Sequence, residues 1–570
     1  MAYAAGQRPQ FVANPLNPVS YLQLFPRSTQ KYIVCYMLFW VFVGLYFIYT
    51  GLAVYLFKMA YSSVFEVKPK QMHDILSYFP EVKDGATKIT WSHATNSKKL
   101  LHDALNGPNR VMVLESDVLM KGAGTSQQEL LPIMAHPPDT DSDLTFDEYL
   151  ATVAASNSTV GIKLDFKAIE VVELCLQRVA RVADRLPGPV IVNADILRGP
   201  GAPADKEPID HRRFLRFHSE LTPRALLSVG WTTGYSARDI GNRRYGWEHV
   251  VPMWELVTSM REKSSSASAP SAVTFPVRAS LLSDSLAQLC WLVEACDAGG
   301  GATASLTVWM AKAPGEPQPE AAVLRRYRTE LGSRRLFVDL PGLDVSSIAA
   351  RNASLTSSPT PPAAAATRRL SNATLVPLQP ADWTIVAFPP RVSVGLGRAC
   401  VATRASRLSL QSRDTPSAPT ALAPLRLVGD AQFGAGPMAP AAGVAIGLMD
   451  GGIRVHIDVT VGSVSIVEFD IDGSTERQRR RAELSTRRTR SGGEVWYSLE
   501  HRPDSLTVEV AFPDQSGALS DSSLKLSLTG LLESRRNSAY APLVTLGGGS
   551  KGGKKQPLAI MALCHLSLTT

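Results

Sequence analysis

Residues Val111–Val118 read VMVLESDV and Ile162–Lys167 read IKLDFK. Each is a short β-rich run that ends in charge: Glu115 and Asp117 in the first, Asp165 and Lys167 in the second. Side chains two apart on a strand point to one side, so each pair shares a face. Working outward, similar runs recur at Lys88–His93 (KITWSH), Val190–Ile196 (VIVNADI), Leu226–Trp231 (LLSVGW), Val273–Ala279 (VTFPVRA), Leu306–Met310 (LTVWM) and Leu336–Leu340 (LFVDL). Between them lie amphipathic stretches such as Ala168–Val182 and Leu286–Cys296, apolar at i, i+3, i+4 and i+7. Eight strands alternating with helices predict an α/β fold, a (β/α)8 TIM-like barrel over residues 73–344. A doubly wound open sheet is the alternative, but no Gly-rich phosphate loop follows the first strand.

Chemistry in such barrels gathers at the C-terminal ends of the strands. His93 closes the first strand, Glu115 and Asp117 lie on the second, and His136 follows in LPIMAHPP. Asp165 and Lys167 sit on the third strand, Asn193 and Asp195 on the fourth. Taken singly, each is a solvated strand end or a loop residue. Taken together, three converging carboxylates suit a hard divalent cation, Mg²⁺ or Ca²⁺. Two flanking imidazoles could exchange protons as general acid and base. No Cys joins the set, which argues against structural zinc. His102, His211 and His218 are expected on the surface.

The chain has 570 residues, 45% hydrophobic and 19% charged, with a net charge of +8. Seven Arg and two Glu between Glu476 and Arg490 supply most of that excess. A short solvated basic loop accounts for it, so nucleic acid is not an expected partner; sulfated glycans or lipid headgroups are the less favoured acidic partners. From Tyr32 to Phe57 no charged residue occurs, long enough for one transmembrane helix. This divides the chain into a cytoplasmic tail (1–31), a membrane span (32–57), the barrel, a Ser/Thr/Pro/Ala-rich linker (345–378) and a β-rich C-terminal domain (379–570) with sandwich-like alternation. Sequons at Asn157, Asn352 and Asn372 favour a single-pass protein with its C-terminal bulk extracellular or luminal. On that oxidising side Cys400 and Cys564 are candidates to pair, whereas Cys290 and Cys296 fall on opposite faces of one helix and are not.

Val113–Val118 followed by Met134–Pro138 (MAHPP) resembles the glycerophosphodiester phosphodiesterase superfamily of PLC-like phosphodiesterase barrels, as do Asp165-Phe-Lys167, Leu306–Trp309 and Val338–Pro341. More closely, TWSHATNS, MVLESDV, PIMAHPP, GIKLDFK, VNADIL, GWTTGY and VTFPVRA together resemble the menorin family of animal proteins. The resemblance implies a metal held by Glu115, Asp117 and Asp165, and an acid–base pair of His93 and His136. It implies further that Lys167 contacts phosphate, that Asn193 and Trp309 line the substrate pocket, and that the substrate is a phosphodiester or lysophospholipid. Two departures stand out: Ala-Thr-Asn follows His93 where phosphodiesterases carry Arg-Gly, and Asp165 stands where they carry Glu. Menorins are associated with cell-surface signalling in neuronal patterning, which implies the alternative of a non-catalytic cue acting with cell-surface adhesion proteins.

Overall fold

The apolar runs become strands in the computed structural model, which describes residues 38–43 and 45–46, most of 75–349 and, between 378 and 569, the strands with few of their connections. They are β1 (Trp91–Ser92), β2 (Val113–Met120), β3 (Pro132–Met134), β4 (Gly161–Phe166), β5 (Val190–Arg198), β6 (Leu226–Thr232), β7 (Ala272–Arg278), β8 (Thr303–Trp309) and β9 (Leu336–Asp339). All but β3 pair in parallel, in the order β1-β2-β4-β5-β6-β7-β8-β9, and β3 adds antiparallel to the end of β2. Helices α1 (Lys98–Asn106), α2 (Phe146–Ala155), α3 (Ile169–Val182), α4 (His211–Leu221), α5 (Trp247–Lys263), α6 (Leu286–Ala298) and α7 (Ala321–Leu331) lie between the strands. The result is a nearly closed eight-strand parallel barrel: among the described residues β1 and β9 share no ladder.

Local chemistry starts the helices where the sequence turns from strand to helix. Ser97 accepts from Leu100 N at the head of α1, and Asp210 accepts from Arg212 N and Arg213 N at the head of α4. Thr145 and Glu148 form a reciprocal capping box at the head of α2. On α3, Val171, Val172, Cys175, Leu176 and Val179 turn inward and are buried, which is the apolar stripe read from its periodicity. Each such residue stabilises the fold by about 1.5–3 kcal/mol relative to exposure. A separate cluster plugs the N-terminal mouth: Ile75, Leu76, Phe79 and Ile89 pack on the strand starts at Val113, Ile191, Leu226 and Phe337. With that end sealed, only the C-terminal mouth is left for polar groups.

The C-terminal region builds two antiparallel sheets. The first runs Trp383–Phe388, Arg407–Ser412, Leu543–Gly547, Gly443–Leu448, Ile453–Asp458, Ser463–Phe469 and Glu476–Glu483 in spatial order. The second runs Val394–Leu396, Val401–Ala405, Ala559–Leu563, Leu425–Phe433, Gly493–Arg502, Ser505–Ala511 and Ser523–Thr529, with Leu566–Thr569 also on Leu425–Phe433. Their inner faces share one core, as Leu408, Ile446 and Val455 of the first meet Leu427, Val495 and Val508 of the second. Cys400 and Cys564 are disulfide-bonded, and Cys290 and Cys296 are not bridged. The sheets dock on the barrel through α5 and α6. Trp247 Nε1 donates to Gln432 Oε1 at 2.6 Å, Arg404 pairs with Glu255 at 3.2 Å, and Trp291 packs against Trp247 and Trp254.

The structure corrects two expectations. The basic run is not simply a loop: Glu476–Glu483 is an edge strand on Ser463–Phe469. The ladder supplies its backbone hydrogen bonds, and ion pairs dilute its charge, Arg477 with the buried Glu468 at 2.7 Å, Arg479 with Glu476, and Arg481 with Glu483. Residues 484–490 lie outside the described residues. His218 is fully buried rather than exposed, because it stands four residues after Phe214 and beside Phe217 on the inner face of α4. His102 is exposed and His211 intermediate. Most of the 32–57 run also lies outside the described residues. Its described part is helical, with Leu38, Phe39, Trp40, Val41, Phe42, Leu45 and Tyr46 each at least half exposed. No described helix is long and apolar enough to cross a membrane. Asn157 is exposed, whereas Asn352, Asn372 and nearly all of the linker are outside the described residues.

Burial lowers the His218 imidazole to about 4, against the upward pull of its hydrogen bond to Ala225 O at 3.0 Å. The unfolded chain takes up a proton near its ordinary 6.5, and the folded chain does not until about 4. Stability from this group is therefore whole above pH 6.5 and falls as pH drops through that window, by about 3 kcal/mol. Urea midpoints of H218Q, which keeps an N–H donor without titrating, should depend less steeply on pH between 7 and 4.5 than those of the wild type. Parallel curves would count against this assignment.

Candidate functional site at the C-terminal mouth of the barrel

Strand register assembles the site. Asp117 on β2 is level with Asp165 on β4, Asp165 with Asn193 on β5, and Asn193 with Ser228 on β6. A hydrogen-bond relay follows that row. Ser228 Oγ donates to Asn193 Oδ1 at 2.5 Å, and Asn193 Nδ2 donates to Asp165 Oδ1 at 2.7 Å. Lys167 Nζ then donates to Asp165 Oδ2 at 2.6 Å and meets Asp117 Oδ1 at 2.9 Å. Two carboxylates beside it raise Lys167 well above its ordinary range in spite of burial. Burial alone would raise Asp165, but Lys167 and Lys163 bring it below the usual carboxylate value.

The turn after β1 closes over the second strand. Ala94 takes a left-handed φ of 53°, which costs a non-glycine residue about 1 kcal/mol or more. Its N–H donates to Glu115 Oε2 at 2.8 Å, while Thr95 N donates to Glu115 O at 2.8 Å. Asn96 then makes a reciprocal pair with Asp117: its Nδ2 donates to Oδ2 at 2.7 Å, and its Oδ1 accepts from Asp117 N at 2.9 Å. The strained turn thus anchors both acids of the Glu-x-Asp strand.

His93 spans the seam between β1 and β9. Its Nδ1 lies 2.8 Å from Asp339 Oδ2 and 3.6 Å from Glu115 Oε2, which leaves Nε2 for a bound molecule. Burial lowers this imidazole, but the Asp339 hydrogen bond and the charges of Glu115 and Asp339 outweigh it and carry the group to about 9. Glu115 itself, 3% exposed, is pushed up to about 7 by burial and then by the charge of Asp117. Asp195 is raised to about 6, again by burial first and Asp165 second.

His136 is placed differently. Ala135 N donates to Asp117 O at 3.1 Å, so the next residue flanks the strand end that carries Asp117. Its side chain is exposed, with Nδ1 2.5 Å from Pro137 O and no hydrogen bond to the acids. Trp309, level with Asp339 at the end of β8, lies beneath the Arg278 guanidinium, 5.6 Å from its ring centre. Arg278 is fixed in turn by Glu316 at 2.6 and 2.7 Å. Asp339, Asn96, Ser228, Arg278 and Lys163 fall within the quoted stretches, but the sequence reading gives none of them a role in the site. Asp339 alone carried a signal, as an acid ending an apolar strand.

Oxygen atoms of Glu115, Asp117 and Asp165 lie within 4.8 Å of one another, and so do ligand atoms of His93, Glu115 and Asp339. The first set is all carboxylate, which fits a hard divalent cation. Glu115 is raised by burial first and by the charge of Asp117 second, and a cation there would counter both. The donor set and its electrostatics therefore fit such an ion.

The Menorin N-terminal domain model matches residues 85–343. Human Protein FAM151B is 38% identical over 244 residues, which cover 42% of this chain and 80% of that protein. Among solved structures, the carbohydrate-binding module CBM66 from Bacillus subtilis aligns at 10% identity over 33% of this chain and 96% of its own, with a TM-score of 0.22. A legume lectin-like domain from Entamoeba histolytica aligns at 10% identity over 34% and 98%, with a TM-score of 0.24. Likenesses at such scores carry no argument here. The identity and coverage of the human relative do: the chain belongs to the menorin family.

Proposed function

We propose that the protein is a membrane-anchored, metal-dependent phosphodiesterase of the glycerophosphodiester type, acting on phosphodiesters or lysophospholipids. The observation that carries this reading is the convergence of Glu115, Asp117 and Asp165 beside an Asp-fixed imidazole at the barrel's unplugged mouth. Glu115, Asp117 and Asp165 would hold Mg²⁺ or Ca²⁺. Such an ion, when bound, supplies positive charge to a phosphoryl oxygen and so lowers the barrier to displacement.

The chain's own groups do the rest. His93, held protonated near neutral pH and steered through Nδ1 by Asp339, delivers a proton from Nε2 to the leaving oxygen. His136, exposed beside the strand end that carries Asp117, takes the proton from the attacking hydroxyl or water. Lys167 binds a phosphoryl oxygen, Asn193 orients Asp165, and Trp309 walls the pocket under the fixed Arg278. The charge-free run 32–57, with its exposed apolar helical residues, supports anchoring in a membrane, and exposed Asn157 supports an extracellular or luminal barrel.

Two measurements check this reading. The full chain, stripped with EDTA and reloaded with Mg²⁺ or Ca²⁺, should cleave at least one of a panel of glycerophosphodiesters and lysophospholipids. H136A should lose at least a hundredfold in turnover while keeping its metal affinity. No turnover by folded, metal-loaded protein would sink the enzymatic reading and leave the surface cue with adhesion partners. The second measurement concerns the metal-free state. A carboxyl raised to about 7 favours the folded chain below pH 4.5, and that contribution is lost as pH rises through 7. In EDTA, E115Q should therefore be more stable than wild type at pH 8, by on the order of 2–3 kcal/mol, and equal to it near pH 5. Lower stability at pH 8 would show that Glu115 carries no such electrostatic penalty.

A further inference from the structure

Lys163 is a buried ammonium to which the catalytic reading assigns no task. It lies on β4 two residues before Asp165, level with Glu115 on β2, and is 4% exposed. Among the described residues no acceptor comes within hydrogen-bonding or ion-pair distance of its Nζ, in contrast to Lys167 on the same strand face. Its charge acts on His93, Glu115, Asp165 and Asp195, which come from four neighbouring strand units of the barrel.

A side chain this closely packed, with no acceptor among the described residues at its charged end, presents that end to whatever enters the mouth. The surrounding carboxylates are already engaged. Asp165 is held by Lys167 and Asn193, Asp117 by Lys167 and Asn96, Asp339 by His93, and Glu115 by Ala94 N. A bound molecule can supply the acceptor that Lys163 lacks among the described residues, and an anionic oxygen matches its charge.

We propose that Lys163 is an anion-binding residue of this site, its ammonium donating to a non-bridging phosphoryl oxygen of the bound ester. It thereby replaces the positive charge that Ala94 does not bring beside His93. The inference rests on the phosphodiester reading above and adds the group that recognises the ester's charge.

The test uses the full chain and calorimetric titration, with Mg²⁺ binding measured first and inorganic phosphate titrated into Mg²⁺-loaded protein second. K163M should weaken phosphate binding at least tenfold while Mg²⁺ affinity stays equal or rises, since a nearby positive charge is gone. K163Q, which keeps a donor without the charge, should fold and fall between the two. It carries the comparison if K163M does not fold. Soluble glycerophosphocholine and lysophosphatidylcholine micelles, titrated likewise, tell whether a free ester or a lipid headgroup supplies the anion, and the loss is expected for whichever binds. Unchanged phosphate affinity in both variants overturns the proposal and leaves the phosphodiester reading standing. Loss of Mg²⁺ and phosphate binding together also overturns it, in favour of a counter-ion role. Wild-type protein that takes Mg²⁺ but no phosphate or ester overturns both.

Discussion

Register is the constraint on which the rest of this molecule depends. Parallel pairing sets Asp117, Asp165 and Asn193 in one row and puts Glu115 beside Lys163, so the charges meet wherever the barrel forms. Fully ionised, Glu115, Asp117, Asp165, Asp195 and Asp339 outnumber the cations that act on them, Lys163, Lys167, the His93 imidazolium and, at Asp195, Lys206. Proton uptake by Glu115 and Asp195 relieves this excess, and a divalent cation would favour their charged forms instead. The barrel spends stability to keep these carboxylates together, which is what a binding site requires and a purely structural core avoids.

The scaffold offsets that cost away from the mouth. The plug around Phe79 and Val113 seals one end, and the tryptophans of α5 and α6 bury their rings where the C-terminal sheets dock. Cys400 and Cys564 sit in the barrel's own core cluster, so their bridge lies at the junction of the two regions. The β-rich region is thus packed into the structure that holds the site, through α5 and α6, rather than trailing from it.

Much of this was legible in the sequence because strand chemistry is local. Apolar runs gave the eight strands, and spacing by two put Glu115 with Asp117 and Asp165 with Lys167. Pairings across the fold left no local mark: Asp339 stood out as an acid ending a strand, but nothing in the sequence tied it to His93, 246 residues away, or Asn96 to Asp117. His218 misled because a polar name outweighed its place in the apolar period Phe214, Phe217, His218 and Leu221. The arginine run misled in the opposite direction. Composition suggested a loop, but the open edge of Ser463–Phe469 offered a ladder, and Glu468 and Glu476 absorbed part of the charge.

The departure at Ala94–Asn96 is better understood as an exchange than as a loss. An arginine next to His93 would bring a mobile cation to the rim of the mouth. In its place the chain holds alanine in a strained turn, so that a backbone N–H meets Glu115 and an asparagine clamps Asp117 on both sides. These contacts fix the acids of β2 without adding charge at the rim. Positive charge is instead supplied from within the barrel wall, by Lys163 on β4 and by Lys167 just after it, the second held in place by Asp117 and Asp165. On the proposed phosphodiester reading, placement of this kind narrows the range of esters the mouth takes, because the anion must come to the lysines.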